Sequence, residues 1–568
     1  MKMLTIRLLL CTTTAAIMQS SYADTTIELV NRENDRIQQN IQDRLRYEQE
    51  QLLQSDRIGT RIEIAESEKK QTEKGPCISI SKIIVEGVTA LSKKTIDHII
   101  QPYQGQCIDS QSIELIMTNL TAAYLSQGYA TTRIYLPEQD LKSGVLRLNV
   151  EEGKLAELRL TDAAKGTISL KTAIIAAEGK LLNLRDLEQA LDQINRLQSN
   201  HASMNIYPGN NAGESIVEFN NQQRKRLNGY FVYDNHGQDA TGRNQAALGL
   251  SLDNPLGLND LINISYNRSL PFKHDRQDSY AASAFYAVPL GYQTVSLSAS
   301  RSEYDSMVNT QFNQLHSNGK TNTYSGRLDS LLYRGMDNQL RANIALNHKD
   351  TQSFLEDLKL DVSSRKLSVL DVGINYSDLL FSGVFNINLG YSRGLDILNA
   401  LKDPADLAKE MPKAQFEKMI YGLSYFKPFV MRGHDFSISS NFTGQYAFNP
   451  LYGSEQYSIG SLYSVRGFNQ SSISGDSGYS IKNNLNLNKV YRLNGSPLIA
   501  KYYLGFDYGK VENKENSNMV GELSSITLGS GFNIKNMSLE LMITQPLHKP
   551  NYMQKPDTDF FFATTVTF

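Results

Sequence analysis

The sequence predicts a transmembrane β-barrel of about 16 antiparallel strands, preceded by a polar helix and two small α+β units. Three observations lead there. From Leu227 to Phe568 apolar and polar residues alternate with a period of two. Beyond the first two dozen residues there is no run of about 18 apolar residues, so no helix is built to cross a bilayer. The stretch before Leu227 changes composition in blocks, first very polar and then mixed. An exported membrane protein without apolar helices must be a closed barrel, because only a closed ladder satisfies every backbone group in lipid.

Residues 1–23 read as an export signal. Lys2 and Arg7 give the positive start, Leu8-Leu9-Leu10 lies in a short apolar run, and Ser21-Tyr22-Ala23 is a small-x-small cleavage site before Asp24. A lipoprotein reading of Cys11 is weaker, since Thr12 to Ser20 is needed to complete the segment. The mature chain then holds Cys77 and Cys107, an even count in an oxidising compartment. A bridge between them would close about 30 residues and contribute roughly 3–4 kcal/mol; two free buried thiols are the alternative. A net charge of −2 argues against a nucleic-acid partner.

Residues 24–54 are dense in Glu, Gln, Arg, Asn and Asp, with Ile37, Ile41 and Leu45 at helical spacing. A helix with so thin an apolar stripe suits a wet cavity; a solvated helix or disordered tail fits equally well. Residues 55–74 read as a linker. Two α+β units follow, at 75–152 and 153–226, each running strand, helix, helix, strand, strand. In the first, strands are expected at 78–85, 131–136 and 144–150, with helices at 92–100 and 112–125. In the second, strands are expected at 155–160, 202–207 and 215–219, with helices at 170–177 and 184–197.

The barrel region is 227–568. Phe385, Ile387, Leu389 and Tyr391 alternate with Asn386, Asn388 and Gly390, and Lys482, Asn484, Asn486 and Asn488 alternate with Ile481, Leu485 and Leu487. Apolar residues outside and Asn, Ser and Gly inside describe a membrane barrel with a polar lumen. A soluble sandwich would show a similar signature with the sense reversed. Strands of about ten residues, an aromatic-rich apolar face and a last strand carrying Phe560, Phe562 and finally Phe568 favour the barrel. Short turns such as Asn254-Pro-Leu-Gly257 belong on the periplasmic side. Long loops, including 394–413 and 449–477, belong outside.

No catalytic, cofactor or metal constellation stands out. The eight His residues lie far apart, and Gly529-Ser-Gly531 lacks the rest of a dinucleotide fingerprint. The informative string is Val465-Arg466-Gly467-Phe468, inside the long loop. A loop Arg is usually just solvated. A second string, Gly505-Phe506-Asp507-Tyr508-Gly509, changes that. Leu504, Phe506 and Tyr508 take the apolar face, so Asp507 points into the lumen. The glycines two residues away on either side leave room for another segment to approach. Arg466, carried inward on its loop, could then pair with Asp507 bidentately.

With these strings the chain resembles the outer-membrane transporters of two-partner secretion (the haemolysin-activator type), a branch of the Omp85 superfamily. The resemblance covers the whole mature chain: plug helix, linker, two POTRA domains and a sixteen-stranded barrel. Val465-Arg-Gly-Phe468 is similar to the family's loop-tip motif and Gly505-Phe-Asp507-Tyr-Gly509 to its barrel-wall partner. Tyr129-Ala-Thr-Thr-Arg133, Leu136-Pro-Glu-Gln-Asp140 and Leu182-Asn-Leu-Arg-Asp-Leu-Glu188 resemble its POTRA signatures, and Cys77 with Cys107 its first POTRA bridge. The resemblance implies a monomeric channel in outer-membrane lipid, with its POTRA domains in the periplasm. There they capture one large exoprotein (a haemolysin, an adhesin or a contact-dependent toxin), which crosses the lumen without ATP. An Omp85-type assembly factor is the rival, and a passive porin would leave the region before the barrel unexplained.

Overall fold

A computed structural model describes residues 29–53, 76–271, 276–309, 313–514, 521–554 and 556–568. The expected export signal and linker lie outside the described residues. Residues 29–53 form one helix, α1.

The first α+β unit holds a three-stranded sheet in which Val145–Glu151 runs parallel to Lys82–Glu86 and antiparallel to Arg133–Tyr135. Leu146, Leu148 and Val150 alternate with exposed Arg147 and Asn149, so one sheet face is apolar. Helices α2 (Lys93–Ile100) and α3 (Ser110–Ser126) cover it. Asp109 caps α3, its carboxylate accepting from the Ser112 N–H at 2.9 Å. Ile113, Ile116, Leu120 and Tyr124 form its buried stripe. Cys77 and Cys107 are disulfide-bonded beside the short ladder of Ile78–Ile80 with Gln106–Ile108.

The second unit repeats the sheet: Glu214–Asn221 lies between parallel Lys154–Leu160 and antiparallel Ala202–Pro208. Its helices are α4 (Leu170–Ala173) and α5 (Leu184–Asn195). The expected helix over 170–177 therefore stops early. Ile174 is already extended, with φ −117° and ψ 145°, and the chain turns away to set Ile175 against Gly291 in a barrel turn.

Sixteen strands among the described residues close the barrel, from Leu227–Asp234 to Asp559–Thr567, which pair with each other. Large apolar residues such as Ile344, Ile438, Leu504, Phe506 and Leu528 are exposed on its outer face. A sandwich would have buried them. Against the expected strand length of about ten residues, the sixth strand, Gln314–Arg334, runs for 21. The ten-residue estimate counted only the apolar belt. The polar stretch 314–320 continues the same ladder past it, pairing with residues 303–309.

The second α+β unit docks on the short-turn rim. The Gln193 side chain donates to the Gly291 carbonyl at 2.9 Å, and the Thr172 hydroxyl to the Leu258 carbonyl at 2.9 Å. Arg334, at the end of the sixth strand, donates to Gln189 at 3.1 Å and forms ion pairs with Glu188 at 3.3 Å and Asp192 at 2.5 Å. Glu188, 1% exposed, also faces Arg185 at 2.8 Å. This buried charge cluster makes the joint strongly directional.

Candidate functional site

The barrel lumen is occupied by two segments, α1 and the loop between the eleventh strand (His434–Ala447) and the twelfth (Ser477–Leu493). The loop starts from the long-loop side of the barrel, and the sequence reading has it carry Arg466 inward. In the structure it folds back into the barrel, and Ile459, Leu462, Val465, Arg466 and Phe468 are all buried. It contains a 3-10 turn at Gly453–Glu455 and a small ladder of Tyr457–Ile459 with Ile473–Gly475. Ile459, Val465 and Phe468 pack with Val511 and Leu523 of the wall, which gives the loop its own apolar core.

Arg466 and Asp507 meet on the thirteenth strand, Ser496–Glu512. Nε of Arg466 donates to Oδ2 at 2.6 Å, Nη2 to Oδ1 at 2.7 Å, and the Arg466 backbone N–H to Oδ2 at 3.1 Å. Asp507 is 0% exposed and Arg466 3%, so this fork is dry and strong. Nη2 also donates to Asn484 at 2.8 Å. A Cβ on Gly505 would fall 2.4 Å from Nη2, and one on Gly509 2.9 Å from Val465 Cγ2. Only glycines let the loop reach the wall here. Farther along, the Asn469 amide donates to the His236 and Gly237 carbonyls at 3.1 and 3.2 Å, carrying the loop tip across to the first strand's end.

Helix α1 spans the lumen, about 38 Å at 1.5 Å per residue. Of its apolar stripe, Ile37 and Leu45 are buried and Ile41 is half-buried. These three line a cavity facing the second to fourth strands. The helix is held mostly by polar contacts that the sequence does not single out. Ser317 donates to Asn34 at 2.7 Å, Arg365 pairs with Asp35 at 2.8 Å, and Arg44 pairs with Asp234 at 3.0 Å. Tyr47 lies 5.1 Å from the Tyr463 ring of the loop. At its far end Leu52 and Leu53 pack with Leu197 of the second α+β unit and with Leu261, Phe285 and Ala287 of the barrel.

Two further sequence strings acquire a physical role. Asn183 caps α5, accepting from the Arg185 N–H at 2.8 Å, while its amide donates to the Gln127 carbonyl of the first unit at 3.1 Å. The string 182–188 thus joins one α+β unit to the next and both to the rim. The terminal Phe568 N–H donates to the Gly229 carbonyl, and the Gly229 N–H to the Phe568 carbonyl, each at 2.9 Å, completing the barrel seam.

A family model described as "Haemolysin secretion/activation protein ShlB/FhaC/HecB" matches residues 213–532. A ShlB-type POTRA domain matches 78–153, and a further POTRA domain 154–208. The chain is 32% identical over 472 residues to the outer membrane transporter CdiB-2 of Burkholderia pseudomallei, covering 82% of this chain and 80% of that one. It is 31% identical to the hemolysin transporter protein HpmB of Proteus mirabilis, covering 83% and 82%. The solved structure of CdiB from Escherichia coli superposes with a TM-score of 0.84 at 30% identity, covering 94% of this chain and 99% of that one.

Proposed function

This chain belongs to the haemolysin secretion/activation family of ShlB, FhaC and HecB, outer-membrane transporters with periplasmic POTRA domains, and we propose that it exports one large exoprotein through a lumen closed at rest by α1. The name of HpmB, a hemolysin transporter protein, supports a haemolysin as the client, with an adhesin or a contact-dependent toxin as the other classes the resemblance implies, in each case a separate polypeptide. Its role is transport rather than catalysis. The observation that carries this reading is the filled lumen: a polar helix threads a polar-lined barrel whose mouth is flanked by POTRA domains.

The POTRA sheets have edge strands at Lys82–Glu86, Arg133–Tyr135, Lys154–Leu160 and Ala202–Pro208. An unfolded client can add a strand to such an edge by backbone hydrogen bonding. With α1 displaced, the client enters the lumen, and folding outside keeps it from sliding back. An assembly factor that folds other barrels has less support, since it needs no lumen-filling helix. The test is deletion of residues 24–53 in the otherwise full chain, with single-channel recording in planar bilayers. Conductance should become larger and steadier. An unchanged conductance would mean that the helix does not close the pore.

A further inference from the structure

The lumen loop is fixed to the wall at a second place, distinct from Arg466. Glu455 ends the turn Gly453–Glu455 and is 5% exposed. Its carboxylate accepts from Lys349 Nζ of the seventh strand (Asn338–Leu355) at 2.6 Å. It also accepts from Lys418 Nζ of the tenth strand (Glu417–Met431) at 3.0 Å. Lys418 Nζ donates again to the Glu455 carbonyl at 2.9 Å, and so does the Gln445 amide, also at 2.9 Å. Burying one carboxylate between two ammonium groups brings little net stability. Such a cluster chiefly fixes position, because every alternative placement leaves a charge unpaired.

The position it fixes is the one on which α1 rests. The Gln39 amide donates to the Gly453 carbonyl and, at 3.4 Å, to the Gln456 carbonyl, while its oxygen accepts from Ser474 Oγ at 2.9 Å. One helical turn earlier, Asp35 packs so closely on Gly453 that a Cβ there would fall 2.0 Å from its carboxylate. Arg365 of the eighth strand (Arg365–Leu380) pairs with Asp35 at 2.8 Å and lies 4.6 Å from the centre of the Tyr452 ring. Residues 35 and 39 lie on one helix face, and both meet the segment 452–456.

We infer that Glu455 is a positioning residue for channel closure: through Lys349 and Lys418 it holds the turn 453–456 as a seat for α1. This rests on the proposed role of α1 as the closing element. It separates two functions within one loop. The Arg466–Asp507 fork secures the loop tip, three strands from Lys418 and six from Lys349 around the barrel, whereas Glu455 secures the segment that carries the helix.

The experiment uses the full-length protein in planar bilayers, comparing wild type, Glu455→Gln, Gln39→Ala and deletion of 24–53, alone and combined. Glu455→Gln keeps the side-chain shape but leaves two lysines facing a neutral amide. Losing the seat should raise the open fraction about tenfold, equivalent to about 1.4 kcal/mol. The open-state conductance should equal that of the helix deletion. Gln39→Ala, which leaves wall and loop untouched, should do the same, and the two should not add. In the deletion background Glu455→Gln should change nothing, since no helix remains to be seated. If deletion opens the channel but both single variants gate like wild type, the seat is wrong and the closing role of α1 stands. If deletion itself has no effect, the closing role falls and the seat with it. A further conductance change from Glu455→Gln in the deletion background would show that Glu455 only shapes the pore wall, and would overturn the inference. Should Glu455→Gln not yield a folded barrel, Gln39→Ala decides alone: wild-type gating refutes the seat.

Discussion

Replacing Asp507 with alanine should release the tip of the lumen loop without unfolding the barrel. Asp507 receives three hydrogen bonds from Arg466 in a site from which water is excluded. Its loss strands a buried guanidinium with Asn484 and the Tyr503 ring, 5.8 Å away, as neighbours. Removing one partner of a buried pair costs about 3–5 kcal/mol. At about 1.4 kcal/mol per decade, the lower figure shifts the local opening equilibrium of the tip by roughly a hundredfold. The loop should not leave altogether, because Lys482 still donates to the Leu462 carbonyl at 2.8 Å and the Ile459–Val465–Phe468 cluster persists. Arg466→Lys should behave nearly as badly, since an ammonium cannot reproduce the planar fork. Gly505→Ala should mimic both by pushing Nη2 aside. The assay is hydrogen exchange of residues 461–470 in the full-length protein, across a cycle of Arg466→Ala, Asp507→Ala and the double variant. Heat-modifiable gel mobility serves as the control for an intact barrel, and export of the client should fall in step with loop release. A double variant no worse than the worse single is the expected result. Effects that add to within about 0.5 kcal/mol would mean the residues act independently, and the pairing would carry no function.

Three further outcomes are expected. Thiol titration of the folded, unreduced protein should find neither Cys77 nor Cys107 reactive, and reduction should destabilise the first POTRA domain by about 3–4 kcal/mol; two titratable thiols without reductant would exclude the bond. Burial alone would raise the Glu152 carboxyl, but hydrogen bonds from Thr89, the Ala90 N–H and Tyr124 outweigh it and hold the group below its ordinary range. The resulting stabilisation is present above the unfolded value near about 4.3 and is lost as pH falls through the lower folded value. Hydrogen-exchange protection of residues 87–91 should therefore drop in acid, and Glu152→Gln should flatten that dependence; an equal pH response in both proteins would contradict it. Glu188→Ala removes the carboxylate that Arg185 and Arg334 share, so α5 should lose protection by about 3–5 kcal/mol while heat-modifiable mobility is unchanged; unchanged protection would mean the joint does not depend on this charge.

Much of the fold was legible because a membrane barrel writes its two faces into alternate residues. The parity that set Leu504, Phe506 and Tyr508 in lipid was enough to turn Asp507 inward. Glycines flanking an inward carboxylate signalled a close approach, and the nearby Arg466 string supplied a partner of the right geometry. Lys349 and Lys418 also sit on lumen parity, and a search for inward charges along every strand would have found them. What parity could not supply was Glu455. A loop has no period, so nothing local says which of its residues reach a wall more than 30 positions away. The early end of α4 was hidden for a similar reason: the chain leaves the helix to meet Gly291, a contact more than 100 residues distant.

The placement of α1 was the least legible part, and the cause bears on how closure works. A helix buried against a core announces itself by a broad apolar face, but α1 is held by single polar contacts such as Asn34 with Ser317, Gln39 with the loop and Arg44 with Asp234. None of these leaves a periodic trace. The neutral contacts are weak on balance, about 0.5–1.5 kcal/mol each because water competes for both partners, and a charge-assisted one such as Arg44 with Asp234 contributes about 1.5–3 kcal/mol. As the helix withdraws and water follows it into the polar lumen, each bond that breaks can be replaced by one to solvent. A helix fixed by an apolar seam would be costly to withdraw, since its whole face would be exposed to water at once. A helix fixed by many replaceable polar bonds can be released a few contacts at a time. The feature that made α1 look like a solvated segment in the sequence therefore suits the closing role proposed for it. A compact apolar contact, Leu52 and Leu53 against Leu197, Leu261, Phe285 and Ala287, lies where helix, POTRA domain and barrel rim meet.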